Sequence, residues 1–520
     1  MHYRNLAVAL LALVCGPFNA WPQEPGTKAT GPESSSSSGP VQQLQLQVQQ
    51  LQAMVQELKD ETVQYRTETL QLRHELQSMR ERLEAGKPPA ETLAGAAPAG
   101  GASEKSGEQR VAKLEEDVQL LGGKVDDQYQ TKVENGAKYR VRLSGLLLMN
   151  IFSNTGNVDH VEVPGVALAT TPSLTSGNTG GSFGATIRQS QLGIEVYGPT
   201  LAGARTRGDI VADFFGEFPE TTSGSSSGSL RLRTGTVRLE WQRTSVIAGL
   251  DNLFFSPAYP TSFASLSIPA LSYAGNLWGW LPQLRVEHKL IASENSTLTI
   301  AGGILDPLTG ETPPNEFLRI PGAGESSRQP GYGTRVEWGH RIWGQMLTVG
   351  SGGFYSRENW GFNRNVDGWA ATADWNVPFG NQFSLNGKFY RGRAIGGLGA
   401  GIGRSILSNG PLSDPATIVR GLRSTGGWAQ VKYRPAAKLE FNAAAGQNND
   451  NTGDIRGFPV VPGTYFPADL ARNRSEFINF IYRPRSNLLF STEFRTLRTF
   501  SADGSAQRAK QLNLIMGVYF

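Results

Sequence analysis

Between residues 204 and 218 charged side chains recur on every second position. Arg205, Arg207, Asp209, Asp213 and Glu217 share one parity, while Ile210, Ala212, Phe214 and Phe218 share the other. A guanidinium is permanently charged and grips carboxylate or phosphate with two parallel hydrogen bonds. Arginines facing carboxylates across a narrow wet space set up a transverse field that orients dipolar solutes. Arg188, Arg238 and Arg285 fall on the same kind of polar parity in their own segments, with Glu240 and Glu287 beside them, and Arg335, Lys432 and Arg495 extend the set. Taken singly, such a charge more often hydrates or braces an interior than binds anything. As a set the arginines favour small anions. Arg231 and Arg233 share the parity of Val237, which places them at a rim.

Other chemistry is poorly served. His74, His160, His288 and His340 are scattered without metal-ligand spacing, and no glycine-rich phosphate loop leads from a strand into a helix. No metal and no cofactor are expected. The one cysteine, Cys15, lies in an amino-terminal apolar segment, so disulfides and thiol nucleophiles are excluded after its removal. A hydrolase with a serine on an outer wall would need a histidine such as His288, which shares parity with Val286 and Leu290. No third member converges on it, and an interfacial role suits it better.

The elements that position these charges follow from periodicity. Residues 1–20 read as a signal peptide, with Arg4 before the apolar run Leu6–Val14, and residues 21–40 as a linker. From Val41 to Leu83 apolar positions alternate by three and four; Val48, Leu51, Val55, Leu58, Leu72 and Leu76 form the seam of a coiled coil over 41–84. A flexible Ala/Gly/Pro/Ser linker covers 85–107, and a second short coiled-coil helix and connector cover 108–137. A coiled coil implies an oligomer. Val alternating with Leu at the seam favours two strands, whereas a large barrel interface would favour three.

From Lys138 to Phe520 the pattern changes to period two. The segment Tyr139–Ile151 puts Tyr139, Val141, Leu143, Leu147, Met149 and Ile151 on one face and Arg140, Arg142, Ser144 and Asn150 on the other. Sixteen such segments are expected, near 138–151, 184–198, 204–217, 230–242, 244–250, 283–291, 297–305, 331–342, 345–358, 366–377, 380–393, 423–434, 437–448, 474–483, 487–499 and 508–520. An even count, apolar on one parity and charged on the other, predicts an all-β transmembrane barrel with a wet lumen, preceded by the helical coiled coil. The last segment, Leu512–Phe520, reads as its closing strand. Trp241, Trp338, Trp343, Trp369, Trp375, Trp428, Tyr433, Tyr482 and Tyr519 recur near segment ends, as interfacial girdles do. The link 251–282 is too apolar to stand in water, with Phe254, Phe255, Tyr259, Phe263, Trp278 and Trp280, so it either folds into the lumen or packs between subunits. Charge follows the same division. Residues 1–137 hold 13 Lys+Arg against 18 Asp+Glu, and residues 138–520 hold 36 against 27. The basic excess points to anionic solutes, or to lipopolysaccharide phosphates at a rim, rather than to nucleic acid.

Three stretches carry a family resemblance: Gly184-Ala-Thr-Ile-Arg-Gln-Ser-Gln-Leu-Gly193, Gly208-Asp-Ile-Val-Ala-Asp-Phe-Phe-Gly216, and Leu230-Arg-Leu-Arg233 through Ala248-Gly249. They resemble the DcaP-like trimeric outer-membrane porins, which also carry a periplasmic amino-terminal coiled coil. The resemblance implies a sixteen-stranded, trimeric, non-enzymatic channel for small anions, dicarboxylates among them. It places the barrel in the outer membrane against lipid and lipopolysaccharide, and the stalk in the periplasm. The chain departs from the family pattern at Gln191, where a second arginine is usual, and near Leu250–Leu253. Phosphate- and sugar-selective porins with stalks are a looser resemblance. A tether that binds peptidoglycan through its stalk is the structural alternative.

Overall fold

A computed structural model describes residues 140–169, 180–216, 228–311, 319–458 and 466–520, together with the backbone of 132–133. The expected coiled-coil seam, the signal peptide and Glu217 lie outside the described residues.

Period-two patterning becomes a wall of sixteen antiparallel strands, as the sequence predicts. They are β1 (Arg140–Thr155), β2 in two pieces (Gly181–Thr186 and Gln191–Tyr197), β3 (Arg205–Asp213), β4 (Arg231–Glu240) and β5 (Thr244–Asn252). Next come β6 (Trp280–Ser293), β7 (Ser296–Leu305), β8 (Gly331–Ile342), β9 (Gln345–Asn359), β10 (Asn365–Phe379) and β11 (Phe383–Arg393). The wall ends with β12 (Arg423–Ala436), β13 (Leu439–Asp450), β14 (Leu470–Arg485), β15 (Leu488–Ser501) and β16 (Ala506–Tyr519). Each strand pairs with its sequence neighbour, and β1 also pairs with β16 from Leu146↔Tyr519 to Thr155↔Lys510, which closes the cylinder. One end carries the short turns. The other carries longer connections, here L1 (156–180), L2 (214–230), L3 (253–279), L4 (306–330), L6 (394–422) and L7 (451–469), plus the short L5 (360–364) and L8 (502–505).

The closing seam is tight. Gly145 and Phe520 exchange backbone hydrogen bonds of 2.9 and 3.1 Å. A Cβ at Gly145 would stand 2.3 Å from the Phe520 ring and 2.8 Å from the Gln191 carbonyl oxygen. Gly145→Val is therefore expected to destabilise the barrel by about 1–3 kcal/mol, the usual cost of overpacking. The folded, fast-migrating band on unheated SDS gels should disappear at a lower temperature than in the unsubstituted protein.

Two bulges alter the sequence-level parity. Asn150 and Leu146 of β1, four residues apart, face Thr186 and Gln191 of β2, five apart, so one extra residue is accommodated around Ile187–Ser190. In β4 the register slips where Val211↔Thr234 is followed by Ala212↔Leu232. A bulge of this kind re-aims the side chains beyond it. Arg231 and Arg233, expected at a rim, consequently point inward onto Asp213, at 2.7 and 3.6 Å.

The outer wall is apolar at mid-height: Leu147, Ile194, Ile210, Val237, Leu284, Val336, Val431, Ile478 and Leu514 are all exposed. A contiguous oily surface of that extent is untenable in water and fits a hydrocarbon belt. Trp241, Trp338, Trp343 and Trp369 are exposed near the strand ends. Trp428 departs from the girdle expectation. It faces inward, is buried, and donates Nε1 to Asn276 Oδ1 at 3.2 Å.

Candidate functional site: a loop folded into a charged lumen

L3 is the apolar link singled out by composition, and it lies inside the barrel. Leu253, Phe254 and Phe255 pack with Phe354 of β9 and Tyr390 of β11. Phe263 and Ala264 pack with Leu146 and Leu148 of β1, Ile481 of β14, Leu489 of β15 and Ile515 of β16. Ala270, Leu271 and Ala274 pack with Trp428, Ala444 and Phe477 of β12–β14. Gly275 (φ +96°) lets the loop backbone touch the wall, since a Cβ there would meet the Gly427 carbonyl at 2.2 Å. These apolar loop residues thus meet apolar inward residues, an exception to the polar lumen that the loop itself makes tolerable.

Polar side chains from the wall saturate the loop backbone. Lys388 Nζ donates to the carbonyls of Ser256 (3.1 Å) and Leu277 (2.8 Å), tying together both ends of L3. Gln189, in the β2 bulge, donates to the Ala264 carbonyl and accepts from Leu266 and Ser267 N–H at 2.8 and 3.3 Å. Thr261 is held by Gln430, Lys432 and Asn479. Ser262 donates to Glu493 (2.5 Å) and Arg495 Nη2 donates to Ser265 Oγ (2.6 Å). Gln189, Lys388, Gln430, Asn479 and Glu493 were absent from the sequence-derived site. Their signal was available: amides, a lysine and a glutamate on lumen parity opposite a link too apolar for water.

The wall from β3 to β10 also meets L3, where Thr372 Oγ1 of β10 donates to the Phe255 carbonyl (2.7 Å) and Arg231 Nη2 of β4 to that of Ser267 (2.8 Å), and it carries arginines beside the loop. A recess of about 410 Å³ is lined by Pro257 and Tyr259 of L3 and by Asp251, Arg285, Glu287, Thr299, Arg335 and Glu337. Arg285 donates Nη1 to Asp251 (2.9 Å) and Nε to Glu287 (2.7 Å). Arg335 forks onto both oxygens of Asp374 (2.5 and 2.9 Å) and also reaches Glu337 (2.6 Å). Gly350 makes the room, since a Cβ there would occupy the guanidinium position. Arg238 lies 3.4 Å from Asp209 and 3.6 Å from Asp251. The side chains of Glu287 and Glu337 are a third exposed while those of Arg285 and Arg335 are under a tenth. At this level carboxylates outnumber guanidiniums, and the groups that border open space in the recess are chiefly Glu287 and Glu337.

The remaining expected residues separate by height. Arg188 is buried against the Phe215 ring (4.4 Å), pairs with Glu162 of L1 at 2.9 Å and donates to the Gly216 carbonyl of L2, so it clamps two loops. Asp213 is buried beneath Arg231 and Arg233. Towards the turn end, Arg205 has an 83% exposed side chain 3.9 Å from Glu240, and Arg207 pairs with Glu195 at 2.9 Å. Exposed Arg140 and Arg142 share that inner face, cross-strand from Tyr197 and Glu195. Across the vestibule Lys432, Arg434 and Arg483 surround the single carboxylate Glu440 at 3.4, 2.8 and 3.6 Å. Cations outnumber carboxylates here, whereas carboxylates outnumber guanidiniums at the recess, so the axial field turns positive towards the turn end.

Above the recess L4 meets L6 through Glu311, whose carboxylate accepts the N–H groups of Ser405 (2.7 Å) and Ile406 (2.9 Å). Its Oε2 is enclosed without a partner, and burial pushes the acid up to about 7. The folded loops hold this proton more tightly than an unfolded chain does. The L4–L6 contact is therefore strongest below the ordinary glutamate value of 4.5, weakens as pH rises to about 7, and then levels off. Rate-corrected hydrogen exchange at Ser405 and Ile406 should lose protection over that window, and Glu311→Gln should abolish the dependence.

On the outer wall His288 Nδ1 and Thr244 Oγ1 share a hydrogen bond of 2.9 Å. Among the described residues no group of three or more His, Cys, Asp or Glu side chains could hold a metal ion.

Fold and lumen together define a closed sixteen-strand β-barrel, apolar outside, charged inside and narrowed by an inward-folded third loop. The chain shares this fold with the outer-membrane channel DcaP of Acinetobacter baumannii: TM-score 0.55 at 14% identity, over 74% of this chain and 99% of that one. Also similar are an anion-selective porin from Comamonas acidovorans (TM-score 0.45, 11% identity, 74% of this chain and 100% of that one) and OprB of Pseudomonas putida (0.43, 11%, 77% and 97%). Neither a protein-family model nor a curated protein matches the sequence.

Proposed function

We propose that this chain is an outer-membrane porin, a water-filled channel through which small solutes diffuse with a preference for anions. The observation that carries the reading is the lumen itself. L3 fills part of the barrel and leaves a charged recess beside β5–β8, and towards the turn end the inner face is rich in arginine. The turn end, where the seam residues Gly145 and Phe520 meet, faces the periplasm, and L1–L8 face outward. The preference for anions then rests on the cationic inner mouth, while the middle, where carboxylates outnumber guanidiniums, lets dicarboxylates pass without trapping them. Binding weak enough to permit release is what conduction requires. Arg205 and Arg207 act at the inner mouth, Arg238 and Arg285 at the recess with Asp209, and Arg188 and Asp213 brace the loops above them. Glu217 is assigned to the same lumen parity. The channel assembles as a trimer, with the 41–84 coiled coil as its periplasmic stalk.

Proteoliposomes containing the full-length protein provide the test. Succinate should enter faster than an uncharged solute of similar size, and faster still than a diamine. Equal exclusion of all three would overturn the reading. Protein lacking residues 22–137 should conduct like the full chain; if it does not, the stalk is more than an appendage, and a peptidoglycan tether becomes the better description.

A further inference from the structure

Three arginines stand in one line across the outer wall near its loop end. Arg474 of β14 is directly cross-strand from Arg498 of β15, and Arg498 from Arg508 of β16. All three face outward and are exposed, as are Arg472 above them and Lys510 below. Like charges directly opposed across a sheet are destabilising, and here two such oppositions are consecutive. Among the described residues the compensation is slight. Arg474 reaches Glu476 at 2.6 Å, and the Phe500 ring supports Arg472 and Arg498 at 3.8 and 4.6 Å.

Height gives the row its meaning. Moving towards the turn end, the next outward row is Glu476, Thr496 and Lys510, and the one after is Ile478, Phe494 and Leu512. The last of these is wholly apolar and exposed, the edge of the hydrocarbon belt. The cations therefore stand at headgroup level on the loop side. That puts guanidiniums able to fork onto an anion at headgroup height and the apolar surface of Ile478, Phe494 and Leu512 at the height of acyl chains.

We propose that Arg474, Arg498 and Arg508, with Arg472 and Lys510, form a binding site for the phosphorylated headgroup of an outer-leaflet lipid of the lipid A class. The assignment rests on the outer-membrane reading above. The occupant is a lipid rather than free phosphate because the cationic row continues directly into an apolar surface.

The test uses full-length protein purified in detergent, with diphosphorylated lipid A as the probe and its monophosphorylated form for comparison. Bound lipid is counted by native mass spectrometry after gel filtration. The unsubstituted protein should retain the diphosphorylated form. The triple variant Arg474→Gln/Arg498→Gln/Arg508→Gln should bind it at least about tenfold more weakly, in keeping with the loss of several charge-assisted contacts. Removing one phosphate should weaken binding to the unsubstituted protein more than to the variant. A second variant, Arg243→Gln/Lys438→Gln/Arg485→Gln, loses the same charge from exposed turn-end positions and should bind normally. Equal binding by all three proteins overturns the proposal, as does competition by inorganic phosphate alone. So does a triple variant that changes oligomeric state without changing lipid retention, since the row would then be a contact between copies. Channel currents from the same preparations separate this failure from failure of the porin reading: currents with no lipid effect remove the site alone.

Discussion

Arg495→Met should loosen the constriction more than any other single substitution considered. Arg495 and Glu493 are almost wholly buried and paired at 2.6 Å. Arg495 also donates to Ser265 Oγ and the Pro164 carbonyl, so it joins L3 and L1 to β15. Removing one member of a buried pair leaves the other charge without a partner, at a cost of about 3–5 kcal/mol. Here that cost falls on the attachment of L3 and not on the strand ladder, because the β14–β15–β16 backbone pairing is untouched. The expected result is a barrel that still folds but passes a larger and noisier single-channel current. Arg495→Met/Glu493→Gln should recover most of the loss, since glutamine still accepts from Ser262 and Asn479 yet carries no buried charge. A quiet, unchanged current from Arg495→Met would mean that L3 is held by apolar packing alone.

The second large effect concerns selectivity. Arg142, Arg205 and Arg207 share the inner face of the vestibule, with Glu195 and Glu240 as the nearby carboxylates. Exchanging all three for glutamate replaces three positive charges with three negative ones where the cationic excess is greatest. Their side chains border water, so the fold should tolerate the change and the zero-current potential should change sign towards cation preference. The effect must be strongest at low salt and nearly vanish at 1 M, where the screening length is about 3 Å. Reversing Arg285 alone should do much less, because Asp251 and Glu287 already balance it.

How far the fold could be read in advance depended on which force fixed each element. Alternation against a hydrocarbon belt is strict, so all sixteen strands were legible from residue parity. Parity failed where a bulge intervened: Arg231 and Arg233 could not be placed without knowing that β4 carries an extra residue. The fate of 251–282 was legible as a choice between lumen and interface, and the inward positions of Trp428, Phe477 and Leu489 decided it. Arginine roles were the least legible. Arg188 and Arg495 share lumen parity with Arg207, yet loops crossing above the wall enclose the first two and leave the third in water. Loop trajectories come from contacts distant in sequence, such as Ser265 with Arg495, which no local pattern announces.

The proposed channel requires the lumen to be an open aqueous path with a positive inner mouth. Its most direct test is the zero-current potential of the unsubstituted protein in a planar bilayer under a potassium chloride gradient at low ionic strength. Stable single-channel steps with a potential on the chloride side of zero are predicted. A bilayer that stays silent with correctly folded protein inserted, or a potential on the potassium side, would contradict it.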